Sequence, residues 1–172
     1  MENPSRKILF LDFDGVLHPD SVYLEHRRPV LHAEGTLFMW TPYLIQALAR
    51  YPDVKIVLST SWVRARGFSR ARDVLPEALR QKIVGATWHS QMARSEIGTI
   101  PLATTWWDKA TRYQQIARYV ARAKVENWVA IDDDNEGWAD RHADRLIWTD
   151  PDRGVSDPHV LAQLCEKLAA LH

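Results

Sequence analysis

KILFLDFDGVLH, residues 7–18, is an apolar run that ends directly in two carboxylates. Its four consecutive apolar residues, 8–11, favour a strand that is buried on both faces, as in a parallel sheet covered by helices. Asp12 and Asp14 follow at once, and Gly15 breaks the run. Ligands of open α/β sheets bind at the carboxyl ends of strands, and two neighbouring carboxylates there need a counter-charge such as a divalent cation. A solvated loop that happens to hold two aspartates is the alternative interpretation.

The composition is that of an ordinary globular protein. The 172 residues are 46% hydrophobic and 26% charged, and this length suits a single domain over residues 1–172. Basic and acidic residues number 22 each, so only a local patch would attract nucleic acid or an acidic membrane. One cysteine, Cys165, excludes an internal disulfide, and no apolar run reaches transmembrane length. We therefore expect a cytoplasmic protein with no signal peptide, membrane anchor or membrane partner.

The rest of the chain alternates predicted strands with predicted helices. After the strand at 8–11, further strands are expected at 54–58, 83–86, 128–131 and 146–148. Helices are expected at 41–50 with Thr41 as N-cap, across most of 63–82, and at 106–123, 136–143 and 157–171. This alternation is typical of βαβ units, so it predicts an α/β fold with a central parallel sheet of about five strands between helical layers.

Two intervals have no steady hydrophobic period. Residues 16–40 contain two prolines and a glycine, and we interpret them as an irregular excursion, or a β-hairpin flap, over the end of the first strand. Residues 88–105 are expected to form a loop or irregular structure.

Three predicted strand ends carry polar residues: DFD at 12–14, STS at 59–61 and DDD at 132–134. Lys109 lies in the first turn of the helix expected at 106–123, which precedes the DDD strand. These residue types suit phosphoryl transfer, in which one carboxylate attacks phosphorus while a second carboxyl group protonates the leaving oxygen and later activates water. A hydroxyl, a backbone N–H and a lysine bind the phosphoryl oxygens, and Mg²⁺ between the carboxylates lowers the repulsion between the two anions.

The motifs DxDGVL, STSW, Lys and DDD, in this order, resemble the four motifs of the haloacid dehalogenase (HAD) superfamily of phosphohydrolases over residues 8–134. The combination of DGVLHP, STSW, WWDK, IDDD and GVSDPHV is similar, more narrowly, to the small capless HAD domains associated with bacterial RNA-repair proteins. The resemblance implies a three-layer α/β/α Rossmann-like fold. It also implies a Mg²⁺-dependent phosphatase that works through an aspartyl-phosphate.

The resemblance assigns a role to each residue of the first two motifs. Asp12 would be the nucleophile, and Asp14 would be the general acid and base. Thr60 would bind the phosphoryl group together with the backbone N–H of Ser61, and Ser59 is the alternative hydroxyl.

The last two motifs would supply a cation beside the phosphate and carboxylate ligands for the metal. Lys109 would be the cation beside the phosphate; Arg112 is the alternative, and a solvated helix face explains Lys109 without any ligand. The metal would be held by the carboxylates of Asp12, Asp132 and Asp133 and by the backbone carbonyl of Asp14. Asp134 is one aspartate more than the family pattern contains, and it is either a metal ligand, a cap for the following helix or a surface residue.

Two features bear on the substrate. The intervals 14–60 and 62–109 leave no room for a large cap domain, so we expect an open site that suits a bulky or macromolecular substrate. His18, Trp62 and Arg64 are candidates for substrate contact. The arginines that follow STSW are either contacts for the phosphates of a nucleic acid or a solvated helix face: Arg64, Arg66, Arg70 and Arg72.

Several tryptophans are candidates for stacking on bases, because they lie near the ends of predicted strands or helices: Trp40, Trp62, Trp106 and Trp107. Trp128 and Trp148 lie within predicted strands, so we expect them in the core.

The sequence therefore predicts a Mg²⁺-dependent phosphomonoesterase whose partner is a phosphorylated small molecule, such as a nucleotide, or a nucleic-acid end. Phosphotransfer to an acceptor other than water is an alternative on the same fold. A non-catalytic module that recognises phosphorylated ends in a repair complex is the alternative from another class, and the intact motifs argue against it. The sequence leaves the oligomeric state open.

Overall fold

The computed structural model describes residues 6–93 and 104–172. It contains seven strands: β1 (Lys7–Leu11), β2 (Val22–Glu25), β3 (Arg28–Leu31), β4 (Lys55–Leu58), β5 (Ile83–Ala86), β6 (Asn127–Asp132) and β7 (Leu146–Trp148). The helices are α1 (Thr41–Leu48), α2 (Ser61–Arg66), α3 (Phe68–Asp73), α4 (Glu77–Arg80), α5 (Trp106–Lys109), α6 (Arg112–Ala123) and α7 (Pro158–Ala169). Short 3₁₀ helices lie at Ser90–Ala93, Asp140–Arg145 and Gly154–Ser156. Five strands form a parallel sheet in the order β5–β4–β1–β6–β7, which confirms the predicted central sheet.

The side chains of β1 alternate between the two faces of this sheet. Leu9 and Leu11 pack in one hydrophobic cluster with side chains of α1 and α7. Ile8 and Phe10 pack in the other cluster, which includes Ile116 of α6. The strand is therefore buried on both faces, and each such buried side chain contributes about 1.5–3 kcal/mol to folding. Helices on both sides of the parallel sheet confirm the predicted three-layer α/β/α fold.

The interval 16–40 contains an antiparallel hairpin made of β2 and β3. His26 and Arg27 at its turn both have positive φ, 48° and 64°, as a two-residue hairpin turn requires. The base of the excursion is closed by a backbone hydrogen bond in which Trp40 N donates to Leu17 O (3.0 Å). The hairpin therefore leaves and returns beside the end of β1.

The single helix predicted for 106–123 is wrong, because the structure divides it into α5 and α6. Ala110 is extended, and Thr111 begins a new helix with a capping box: its hydroxyl accepts from Gln114 N, and Gln114 Oε1 accepts from Thr111 N (2.9 Å). A threonine with a glutamine three residues later favours a helix start over a helix interior. The break places Arg112 in the first turn of α6.

Other predicted helix bounds need correction. Most of the arginine-rich stretch 63–82 is helical, as predicted; it forms the three short helices α2, α3 and α4, and Gly67, with φ +86°, separates the first two. Residues 136–143 form no α-helix, and a 3₁₀ helix begins at Asp140. Trp40, not Thr41, is the N-cap of α1, and the Thr41 hydroxyl donates to Phe38 O (2.9 Å).

Two further predictions concern the loop at 88–105 and the burial of two tryptophans. The predicted loop at 88–105 falls partly outside the described residues, and its first part ends in the 3₁₀ helix Ser90–Ala93. Trp128 is buried as expected, but Trp148, the last residue of the edge strand β7, is 59% exposed. None of the helices within 6–93 and 104–172 is long and apolar enough to cross a membrane.

Candidate active site

The parallel register brings three motifs together at the carboxyl edge of the sheet. Leu11 of β1 lies beside Leu58 of β4 and Ile131 of β6. The polar residues that follow these strands are therefore neighbours. Backbone hydrogen bonds continue the sheet into this edge: Asp12 N donates to Ile131 O (3.2 Å), and Ser59 N donates to Leu11 O (2.8 Å).

Three carboxylates form an acidic cluster at this edge. Asp12, Asp132 and Asp133 each present a carboxylate oxygen within 4.8 Å of the other two. Asp12 and Asp132 are buried, and Asp133 is half-buried. Burial raises the pKa of Asp12 well above its usual value, that of Asp132 to about 7 and that of Asp133 to about 6. The cluster therefore holds more negative charge than its surroundings stabilise.

Arg112, from the first turn of α6, reaches this cluster. Its Nε lies 3.0 Å from Asp132 Oδ2, and an Nη lies 3.7 Å from Asp12 Oδ1. Burial lowers the pKa of Arg112, but the charges of Asp12 and Asp132 raise it more, so the guanidinium stays charged. Lys109 is exposed on α5 and forms no ion pair within the described part of the chain. Of the two candidate cations, the structure brings Arg112 to the carboxylates.

The acidic cluster has the chemistry of a divalent-cation site. Asp12 Oδ1 and Asp132 Oδ2 are buried and have no hydrogen-bond partner among the described residues, because the ion pairs with Arg112 lack hydrogen-bond geometry. One guanidinium cannot balance three carboxylates. Hard cations such as Mg²⁺ bind carboxylate oxygens, so Asp12, Asp132 and Asp133 fit such an ion.

Gly15 makes room for the third carboxylate. It has φ +70°, and a Cβ at this position would lie 2.4 Å from Asp133 Oδ2. The Gly15 carbonyl is held by the Thr149 hydroxyl, which donates to it at 2.8 Å. A side chain at this position is therefore excluded both by the backbone conformation and by Asp133.

Asp14 is held from two sides. His18 Nε2 lies 3.0 Å from Asp14 Oδ1, and Trp62 Nε1 donates to Asp14 Oδ2 at 2.9 Å. His18 Nδ1 accepts from the backbone N–H of Phe38 (3.1 Å), which assigns the hydrogen to Nε2 as a donor to Asp14. His18 is fully buried, so it contacts Asp14 rather than solvent, while Asp14 keeps 20% of its side chain exposed.

Phe38 links the returning end of the excursion to this pair. Its φ of +61° is rare for a residue with a side chain, and it directs the backbone N–H at His18. Its ring packs edge-on against Phe13, His18 and Trp62, with ring centroids 5.2, 4.7 and 5.2 Å away respectively. The aromatic contacts hold the strained residue in place.

The STS motif offers two buried hydroxyls. Thr60 is the N-cap of α2, and its Oγ1 accepts from Trp62 N (3.3 Å). Ser59 is equally buried, and its Oγ has no hydrogen-bond partner among the described residues. Ser61 is the exposed first residue of α2. Both alternatives for the phosphate-binding hydroxyl therefore lie at the site, and Ser59 has the uncommitted one.

Arg64 and Asp134 have partners of their own. Arg64 Nε donates to Asp108 Oδ1 (3.1 Å), and the guanidinium lies 5.5 Å from the centroid of the Trp88 ring, so it joins α2 to α5. Asp134 is exposed, and its Oδ1 accepts from Glu136 N (2.8 Å). Asp134 thus caps a turn rather than a helix.

Sequence reasoning missed Asp20, which precedes the hairpin. After burial, its charge is the largest influence that raises the pKa of Asp133, so the two carboxylates lie close enough to interact electrostatically. Burial, followed by the charge of Asp14, raises the pKa of Asp20 itself. Asp20 follows a proline in an interval without periodicity, and no local signal marked it.

A cleft of about 140 Å³ opens beside Asp14, between the hairpin and α2. A larger depression of about 900 Å³ lies at the opposite, amino-terminal edge of the sheet and includes no member of the acidic cluster. Of these two cavities, the cleft is the one lined by Asp14 of the DFD motif.

A parallel sheet that carries its carboxylates at the ends of β1 and β6, with a hairpin in place of an inserted domain, is the architecture of a HAD domain. Over residues 8–160 the chain matches the family described as the HAD domain in Swiss Army Knife RNA repair proteins, and it belongs to that family. The match confirms the capless HAD domain indicated by the motifs. No curated protein and no solved structure matches the chain.

Proposed function

We propose that this domain is a Mg²⁺-dependent phosphomonoesterase that uses Asp12 as its nucleophile. The observation that carries the proposal is the buried Asp12 carboxylate, whose Oδ1 has no hydrogen-bond partner among the described residues and which lies in a cluster of three carboxylates. A carboxylate in this state needs a cation to remain ionised. An ionised oxygen that accepts no hydrogen bond is also available to attack phosphorus.

The first step transfers the phosphoryl group to the protein. An oxygen of Asp12 attacks phosphorus, the bond from phosphorus to the leaving oxygen breaks, and that oxygen takes its proton from the Asp14 carboxyl group. Asp14 suits this role because it is partly exposed and oriented by two fixed donors, His18 and Trp62. In the second step Asp14 removes a proton from water, which attacks phosphorus and releases Asp12.

The other residues of the site hold charge. Arg112 neutralises part of the charge on Asp12 and Asp132. The hydroxyl of Ser59 or Thr60 donates to the phosphoryl oxygens, which carry negative charge in the transition state. Mg²⁺ held by Asp12, Asp132 and Asp133 would supply the remaining positive charge against the incoming phosphate.

The proposed substrate is a nucleotide or a phosphorylated nucleic-acid end. The family description places such domains in RNA repair proteins, which supports a nucleic-acid substrate for this chain. The absence of an inserted cap and the partial exposure of Asp14 support access by a long molecule.

Release of inorganic phosphate tests the proposal. The substrates are an aryl phosphate, mononucleotides, and oligonucleotides phosphorylated at the 5′ or the 3′ end, each with and without Mg²⁺. We expect Mg²⁺-dependent turnover that falls by more than about 10³-fold in Asp12→Asn. Asp134→Asn is the matched control, because it removes the same charge from an exposed residue outside the cluster.

Retention of activity in Asp12→Asn would overturn the assignment of the nucleophile. The proposed phosphatase activity would be rejected if folded wild-type protein binds phosphorylated oligonucleotides but releases no phosphate from any substrate. That outcome would identify a non-catalytic binding module.

A further inference from the structure

The cleft between the hairpin and α2 is lined by one acid and one arginine. Its apolar wall comes from the hairpin, through Val22, Tyr23, Leu24 and Pro29, and its opposite wall from α2. Asp14 and Arg66 both line it. Tyr23 and Leu24 are large apolar side chains that remain 59% and 63% exposed, so both are accessible to a ligand in the cleft.

Arg66 is an arginine without a carboxylate partner. Several other arginines of the described chain are paired with acids, among them Arg64, Arg72, Arg80 and Arg112. Arg66 forms no ion pair within residues 6–93 and 104–172, and its Nε is buried with no hydrogen-bond partner there. A guanidinium with free donors binds phosphate oxygens in a forked geometry.

Trp62 connects Arg66 to the proposed acid. The Arg66 guanidinium lies 5.8 Å from the centroid of the Trp62 ring, and Nε1 of the same ring donates to Asp14 Oδ2 (2.9 Å). The tryptophan therefore sets the distance between the arginine and the carboxylate. Because Asp14 would protonate the leaving oxygen, the cleft lies on the side of the leaving group.

We propose that this cleft is a leaving-group subsite in which Arg66 binds a second phosphate of the substrate, an inference that rests on the phosphatase proposed above. The ligand expected in the cleft is a leaving group that contains a base or sugar, for the apolar wall, and an anionic phosphate, for Arg66. Its source is either the next phosphodiester of a nucleic-acid end or the second phosphate of a nucleoside bisphosphate. The cleft is smaller than pockets of about 300–1,000 Å³ that enclose whole ligands, so it holds one part of the substrate.

Equilibrium binding to the Asp12→Asn protein tests the subsite without turnover. Titration calorimetry in the presence of Mg²⁺ compares three ligands: a 5′-phosphorylated dinucleotide, a nucleoside 3′,5′-bisphosphate and a nucleoside 5′-monophosphate. We expect ligands with a second phosphate to bind at least about tenfold tighter than the monophosphate, as one charge-assisted phosphate contact provides. Equal gains for dinucleotide and bisphosphate identify an isolated phosphate, and a gain for the dinucleotide alone identifies a strand.

The same titrations with Arg66→Ala added should abolish the preference. Arg66→Lys, which keeps the charge without the fork, should retain part of it. Arg70→Ala is the matched control, because Arg70 is exposed on α3 and does not line the cleft. Absence of a preference in the parent protein, or an unchanged preference in Arg66→Ala, would overturn the subsite. If the preference depends on Arg66 but the protein has no phosphatase activity, Arg66 still binds a second phosphate, and only the proposed enzymatic function is rejected.

Discussion

Arg112 places its Nε 3.0 Å from Oδ2 of Asp132, at the end of the strand that neighbours β1. The contact depends on the break between α5 and α6, which puts Arg112 in the first turn of a capped helix. Lys109, the cation first indicated by the motif, ends the preceding short helix and is exposed. The two candidate cations therefore make different predictions.

Replacement of Arg112 by alanine should lower kcat/KM for phosphate release by about 10²–10³-fold, the usual effect of losing one preorganised charge at the reacting group. Lys109→Ala should lower it less than about threefold, as expected for an exposed charge. Steady-state kinetics with an aryl phosphate measure both. A larger loss in Lys109→Ala than in Arg112→Ala would contradict the assignment of Arg112 as the cation of the site.

His18 orients Asp14 and does not face solvent, so its replacement should act mainly on kcat. We expect His18→Leu to lower kcat by about 10–10²-fold with a smaller effect on KM, because the proposed acid loses a positioning donor. His18→Gln, whose Nε2 can replace the donor to Asp14, should recover most of the loss. Equal damage by both variants, or an effect on KM alone, would contradict a positioning role. Thermal unfolding of each variant separates this effect from loss of folding.

The acidic cluster predicts a pH-dependent stability. Since burial raises the pKa of Asp132 to about 7 and that of Asp133 to about 6, the folded chain binds more protons than the unfolded chain above the ordinary value of 3.8. The free energy of unfolding of the metal-free protein should therefore fall as the pH rises from that value through about 7.

Mg²⁺ should oppose this loss, because it binds the deprotonated carboxylates. We expect the increase in unfolding temperature on adding Mg²⁺ to grow between about pH 5.5 and 7.5 as the cluster ionises. Scanning calorimetry with and without Mg²⁺ measures this increase, and Asp132→Asn should remove most of it. A Mg²⁺ effect of equal size at both pH values would contradict a site made by these carboxylates.

Alanine substitutions at Gly15 and Gly67 distinguish the cost of backbone strain from the cost of a steric clash. Both have positive φ, +70° and +86°, but a Cβ at Gly15 would overlap Asp133, while nothing lies within 4 Å of one at Gly67. Gly67, with φ 86° and ψ 155°, lies in a region essentially restricted to glycine, so Gly67→Ala should cost about 1–3 kcal/mol and keep the Mg²⁺-dependent stabilisation. Gly15→Ala should cost more and abolish that stabilisation. Calorimetry of both variants checks the difference, and an unchanged Mg²⁺ response in Gly15→Ala would reject Asp133 as a ligand.

The predicted sheet is correct because its signals are local. The apolar run before Asp12 and the one that ends at Ile131 each mark a strand buried on both faces. A parallel α/β sheet brings the ends of such strands to one edge, so residues far apart in the chain were expected to meet there. The predicted burial of Trp148 is wrong, because the residue pattern of a strand does not distinguish an edge strand from a central one.

The sequence alone was sufficient for the architecture, the family and the set of carboxylates, since these depend on hydrophobic pattern and motif order. The tertiary structure decided the contacts of each side chain. Arg112 reaches the cluster because a capping box at Thr111 restarts the helix. His18 faces Asp14 because Phe38, which lies twenty residues further along the chain and beyond the hairpin, orients its ring. Such contacts depend on where distant backbone segments pack, and no spacing along the chain encodes them.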